Sequence, residues 1–142
     1  MFKYTILEDE VKSDFAFEVV ADSLPELFKG AGIATMSAMI DPSQITGERE
    51  WFIELKASDE KMLLYDFLSE LVYLKDADTA LFNDFEIEID SKDEYHLKCK
   101  INGSPIDWEK DVLLTDVKAV TMYEFEVEER EKEWYCHVVL DL

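Results

Sequence analysis

Carboxylates are the reagent this sequence offers in quantity: 34 Asp and Glu stand against 14 Lys and Arg, for a formal net charge of −20. Most of them belong to a solvated face. Glu86, Glu88, Glu124, Glu126 and Glu128 each alternate with apolar residues, which sets them on the open side of a sheet. Two acids differ. Asp14 follows Lys12-Ser13 at the start of an apolar alternation, and Asp141 closes the apolar run Tyr135-Cys-His-Val-Val-Leu140. A strand continuing to Leu142 would set a terminal carboxylate beside the Asp141 side chain. Anionic oxygens that close need water or a cation between them, and hard oxygen ligands suit Ca²⁺ or Mg²⁺. Lys118 is the odd cation. It sits in Val117-Lys-Ala-Val120, an apolar stretch of a chain short of positive charge. It is either a surface or edge-strand guard or a lysine held near acidic groups and aimed at an anionic partner.

Other chemistries find little support. His96 is out of phase with Tyr95, Leu97 and Cys99, and His137 lies between Cys136 and Val138, so both are expected at the surface. No Ser/His/Asp triad can be assembled. The glycines, Gly30, Gly32, Gly47 and Gly103, form no phosphate-binding loop. Cys99 and Cys136 fall in apolar alternations and read as small buried hydrophobes rather than as zinc ligands or a disulfide framework. The residues give no case for an enzyme. The negative charge argues against direct nucleic-acid binding, which needs Lys and Arg to displace counterions, and against an anionic membrane surface. A basic partner or a divalent cation is compatible with it. With 142 residues, 48% of them hydrophobic, and no apolar run near the ~20 residues of a membrane helix, the expectation is one soluble, cytoplasmic domain spanning 1–142.

The elements that must position Asp14, Lys118 and Asp141 follow from periodicity. Residues 2–8 and 14–20 read as strands. Ser23-Leu-Pro-Glu26 opens a helix in the manner of a capping box, and Leu24, Leu27, Phe28, Ala31 and Ala34 continue its stripe until Asp41-Pro42. Residues 48–57 alternate as a strand. A second helix, 58–75, carries the wide apolar face of a central packing element. Strands follow at 85–90 and 95–101, with Asn102-Gly-Ser-Pro105 as a break, then a long strand at 117–128 and its hairpin partner at 134–142. The order β-β-α-β-α-β-β-β-β predicts an α+β fold, with two helices on one face of a mixed, mostly antiparallel sheet.

Several segments together resemble the archease family. Glu10-Val-Lys-Ser-Asp14-Phe-Ala-Phe17 is similar to that family's E-H-T-A-D-I-G-I segment, and Asp22-Ser-Leu-Pro-Glu-Leu-Phe28 to its D-S-L-E-E-A-F helix start. Asp59-Glu-Lys-Met-Leu-Leu-Tyr-Asp-Phe-Leu-Ser-Glu-Leu71 matches the second helix, Leu97-Lys-Cys-Lys100 a late strand, and Val117-Lys-Ala-Val-Thr121 the V-K-A-[VI]-T segment, the most specific of them. Asp141-Leu142 matches a D-[IL] ending. Order and spacing make the resemblance strong where each motif alone is weak.

The resemblance implies a protein cofactor rather than an enzyme: a partner of the tRNA-splicing RNA ligase that joins exon halves through a 3′-phosphate or 2′,3′-cyclic-phosphate end. Such a partner speeds the ligase's guanylylation on histidine and supports its multiple turnover. The resemblance also implies a divalent-cation site, calcium or magnesium, with Asp14, Asp141 and the carboxylate of Leu142 as ligands, and it gives Lys118 the role of ligase activation. Two departures stand next to those positions. A family histidine is Val11 here, and a second is Tyr123. A general acidic chaperone without metal chemistry is the alternative reading.

Overall fold

The computed structural model describes residues 1–7 and 14–142, so the expected end of the first strand and the Val11 position lie outside the described residues. The chain begins with an antiparallel hairpin of β1 (Phe2–Leu7) and β2 (Asp14–Ala21). Helix α1 (Leu24–Ser37) starts as its sequence dictates: the Ser23 hydroxyl accepts from the Glu26 backbone N–H at 3.3 Å, and Pro25 occupies the first turn, where its missing N–H costs nothing. A short 3-10 turn (Pro42–Gln44) follows. Next come β3 (Arg49–Ala57) and helix α2 (Glu60–Asp78), whose N-cap Asp59 accepts from Met62 N–H at 2.8 Å. The chain finishes with β4 (Ala80–Asp90), β5 (Tyr95–Pro105), β6 (Ala119–Val120), β7 (Glu126–Arg130) and β8 (Glu133–Asp141).

The α+β class and the two helices match expectation. The single mixed sheet is corrected: the strands divide into two antiparallel sheets, one ordered β1-β2-β8-β6 with β7 also on β8, the other ordered β3-β5-β4. Two local readings change with it. The expected strand 117–128 is interrupted at 121–125, where Glu124 takes a positive φ of 48° in a turn, leaving β6 and β7 as separate pieces along β8. The expected break at Asn102–Pro105 is instead the end of β5. Gly103 lies so close to the Leu81 carbonyl and Phe82 that any side chain there would collide, and β4 bulges at that point between Phe82 and Asp84.

Helix α1 contacts both sheets. On one side Gly30 lets Phe2 and Val19 approach; on the other Gly32 lets the Phe85 ring approach, and an added Cβ would stand 2.7–2.8 Å from these neighbours. Phe28, Phe67 and Phe85 join α1, α2 and β4 through ring contacts of 5.6 and 5.9 Å. All three are essentially fully buried. Each such side chain contributes about 1.5–3 kcal/mol of burial free energy. The outer face of the second sheet is a charge ladder, with Lys100 between Glu50 at 3.1 Å and Glu86 at 3.3 Å. Glu86, Glu88, Glu126 and Glu128 are exposed there and on β7, as their alternation requires. Cys99 and Cys136 are buried free thiols, and burial pushes both up to about 12, which keeps them protonated and unreactive at neutral pH. Among the described residues, no helix is long and apolar enough to cross a membrane.

Candidate functional site at the β2–β8–β6 edge

Strand register brings the two singled-out acids together. Asp14 and Asp141 are direct partners in the antiparallel β2–β8 pair. Their side chains therefore leave the same face of the sheet, with Cβ atoms about 5 Å apart. Ala119 of β6 is the partner of Asp141 on its other side. Immediately before it, the Lys118 backbone N–H donates to the Asp141 carbonyl at 2.8 Å. The acids thus come from opposite ends of the sequence, and the lysine backbone is hydrogen-bonded to one of them.

The Lys118 side chain is exposed and lines a groove of about 300 Å³ between β6 and α2, together with Tyr65, Ser69, Tyr73 and Asp76. Tyr123, at the position of a family histidine, is exposed in the turn after β6. Leu142 packs its side chain against the core directly after Asp141.

A buried lysine holds this edge in place. Lys75, in the last turn of α2, is only 4% exposed. Its ammonium donates to Asp116 at 2.6 Å, to Asp76 at 2.7 Å and to the Val117 carbonyl at 3.0 Å, using all three hydrogens. Burial works against this charge, but the hydrogen bonds to Asp116 and Asp76 outweigh it and hold the ammonium above its ordinary pKa. The contact fixes the segment that enters β6 and so positions Lys118. Lys75→Met should destabilise the fold by about 1–2 kcal/mol, a modest cost because both carboxylates are largely exposed. Since the folded pKa lies above the unfolded value of about 10.5, the contribution is fully present below that pH and disappears as pH rises through the folded pKa. Urea melts of wild type and variant should therefore differ at pH 7 and converge at strongly alkaline pH.

Further along the same face, Glu18 is opposite His137, which is opposite Glu126 on its other side. His137 is not the expected surface histidine. It is 8% exposed, and its Nδ1 lies 2.7 Å from the Glu124 carbonyl, an oxygen that can only accept, so Nδ1 carries the proton. The Tyr135 hydroxyl donates to Glu18 at 3.0 Å, and burial, followed by that carboxylate, pushes the phenol up to about 12. The alternation Asp14-x-Ala-x-Glu18 against His137-x-Val-x-Asp141 is the sequence signal that could have found this row. It stands four residues, about 13 Å, from the acidic pair and is a separate feature. His96 is exposed on the second sheet, as expected.

In chemical terms the edge offers two adjacent carboxylates, which are hard oxygen donors of the type calcium and magnesium take. Among the described residues, no group of three or more His, Cys, Asp or Glu side chains is gathered as a metal cage. The donor set fits a hard cation, with the remaining oxygens to come from main chain, water or partner.

A small α+β fold of two antiparallel sheets, with an acidic pair at the ends of two interior strands and a lysine beside it, is the class of protein these features define. Residues 4–142 match the archease protein family (MTH1598/TM1083). The chain belongs to the archease family. It is 35% identical over 130 residues to the protein archease of Archaeoglobus fulgidus, covering 92% of this chain and 93% of that one. It is 32% identical to the protein archease of Pyrococcus furiosus, covering 94% and 95%. The solution structure of Methanobacterium thermoautotrophicum protein 1598 superimposes with a TM-score of 0.85 at 32% identity, over 99% of this chain and 98% of that one. A Thermotoga maritima crystal structure described as an archease, possible chaperone, shares the fold at a TM-score of 0.68 and 17% identity, over 94% of each chain.

Proposed function

We propose that the chain is a divalent-cation-binding protein cofactor of a tRNA-splicing RNA ligase in the cytoplasm, promoting the ligase's guanylylation and repeated turnover without catalysing a reaction itself. The observation that carries this reading is the Asp14–Asp141 register pair with the Lys118 backbone bonded to Asp141, in a chain of the archease family. Asp14 and Asp141, with the carboxylate of Leu142, would hold Ca²⁺ or Mg²⁺. The cation would neutralise the two carboxylates and offer coordination positions to oxygen atoms of the ligase or its nucleotide. Lys118, on the adjoining groove, supplies the positive charge for the partner. The net charge of −20 favours encounter with a basic, RNA-binding enzyme.

The test is guanylylation of the purified ligase by GTP with and without this protein, in calcium, in magnesium and in EDTA. Acceleration that depends on a cation is expected; equal rates in all mixtures would remove the reading. A second reading, a general acidic chaperone, draws on the exposed Trp108, Val112 and Leu114 beside that same charge. Recovery of many unfolded clients, rather than one ligase, would favour it.

A further inference from the structure

The segment 106–116 between β5 and β6 is pinned by its backbone, yet it presents apolar side chains to solvent. Its amides are bonded outward at several points: Ile106 N–H to the Thr79 carbonyl at 2.9 Å, Leu114 N–H to the Met39 carbonyl at 2.7 Å and Thr115 N–H to the Ala38 carbonyl at 3.1 Å. Val112 N–H donates to Gln44 Oε1 at 3.2 Å, and Asp107 and Asp111 bond each other's groups at 2.8 Å. A segment so anchored could have carried polar side chains. Instead Trp108 is 71%, Val112 63% and Leu114 62% exposed. Trp108 and Leu114 border a cavity of about 460 Å³, whose apolar wall includes Met39, Leu81 and Ile106; Val112 lines a neighbouring groove. Contiguous exposed apolar surface with a polar rim marks interaction sites.

The rim selects the occupant. Asp76 and Asp116 line the cavity, two carboxylates against the one Lys75; Asp107 and Asp111, with Lys110, line the neighbouring groove on the same segment. Lys75 lies in the wall, but its three donors are already committed to Asp76, Asp116 and the Val117 carbonyl. The pocket therefore presents net negative charge around an apolar centre. A second copy of this chain would bring its own −20 charge against it. We infer that this pocket docks a cationic segment of a partner protein, whose aliphatic or aromatic anchor enters beside Trp108 and whose Lys or Arg residues meet the rim carboxylates. The inference stands apart from the acidic pair of the proposed cation site.

The test uses the full chain and three acetylated, amidated octapeptides. The probe has Lys-Lys at each end with Gly-Leu-Phe-Gly between. One control replaces Leu and Phe with Ser, and the other replaces every Lys with Glu. Proton–nitrogen correlation spectra report the Trp108 indole N–H and the Leu114 amide. Saturable shifts of both are expected with the probe. Affinity should be at least about tenfold weaker for the serine control and for Trp108→Ala, as for loss of an interface anchor, and the glutamate control should not bind. Trp108→Ala is an exposed change, and its own spectrum verifies folding. Asp14→Ala should leave the titration as it is. Equal binding of the serine control, shifts scattered over the acidic surface without Trp108, or no shift at all would overturn the inference. So would concentration-dependent shifts of the patch without peptide, which would make a second copy the occupant.

Discussion

Lys118→Met should give a folded protein that no longer accelerates ligase guanylylation. The structural work of this residue is done by its backbone N–H, which donates to the Asp141 carbonyl whatever side chain is present. The side chain is exposed in the groove beside Tyr73, and exposed ion pairs contribute only about 0–1 kcal/mol to folding. At an interface the same charge counts for more. Removing a charged contact that becomes buried on docking costs about 2–5 kcal/mol, or roughly thirtyfold to several thousandfold in the activation constant. Melting curves should therefore coincide while guanylylation rates separate. Normal acceleration by the variant would take Lys118 out of the functional surface. The comparison should include Val11→His with Tyr123→His, which restores both family histidines and should raise activation if those positions share that surface.

The second large effect is on stability. A ligand that binds only the folded state stabilises it by RT ln(1 + [L]/Kd), about 2.7 kcal/mol at a hundred times Kd. For a chain of this length that corresponds to roughly 9 °C in Tm. Thermal melts in millimolar calcium and in EDTA should differ by an amount of this order. Asp14→Ala and Asp141→Ala should each abolish the difference, since each removes one of the three proposed carboxylate ligands. In EDTA both variants should melt at or slightly above wild type, because two like charges directly opposed on a sheet repel. Identical wild-type melts in the two media would leave the acidic-chaperone reading ahead.

Legibility tracked local physics. The α1 start was plain because Ser23, Pro25 and Glu26 encode a cap within four residues, and the capping bond is present. The end of α2 was not: the helix runs to Asp78 and stops at Thr79, a β-branched residue at φ 49°, where glycine is the usual signal. Strand 117–128 kept its alternation on paper, but a turn at 121–125 breaks it, and no Gly or Pro in that turn announces this. Asp14 and Asp141 could be singled out from the residues and the resemblance. Their juxtaposition was expected only through the resemblance, and the register pairs them; the residues alone could not give it, because register between distant strands is set by tertiary packing. His137 was misread for a related reason: the face it lies on is covered near the Glu124 turn, a contact that its neighbours in sequence do not encode.

The placement of β8 has a kinetic consequence. The second sheet is built from segments near one another in sequence, β3, β4 and β5, with α2 between them. The first sheet requires β8 to enter between β2 and the β6–β7 edge, closing a loop that contains most of the chain. Loop-closure entropy must be overcome before that pairing returns any free energy, so contacts of such long sequence separation form slowly. The acidic pair consequently comes into being at one of the slowest steps of assembly, and a nascent or partly folded chain holds its two carboxylates apart. Cation capture at this edge would then distinguish finished molecules from unfinished ones, tying the competence of the protein to the completion of its own folding.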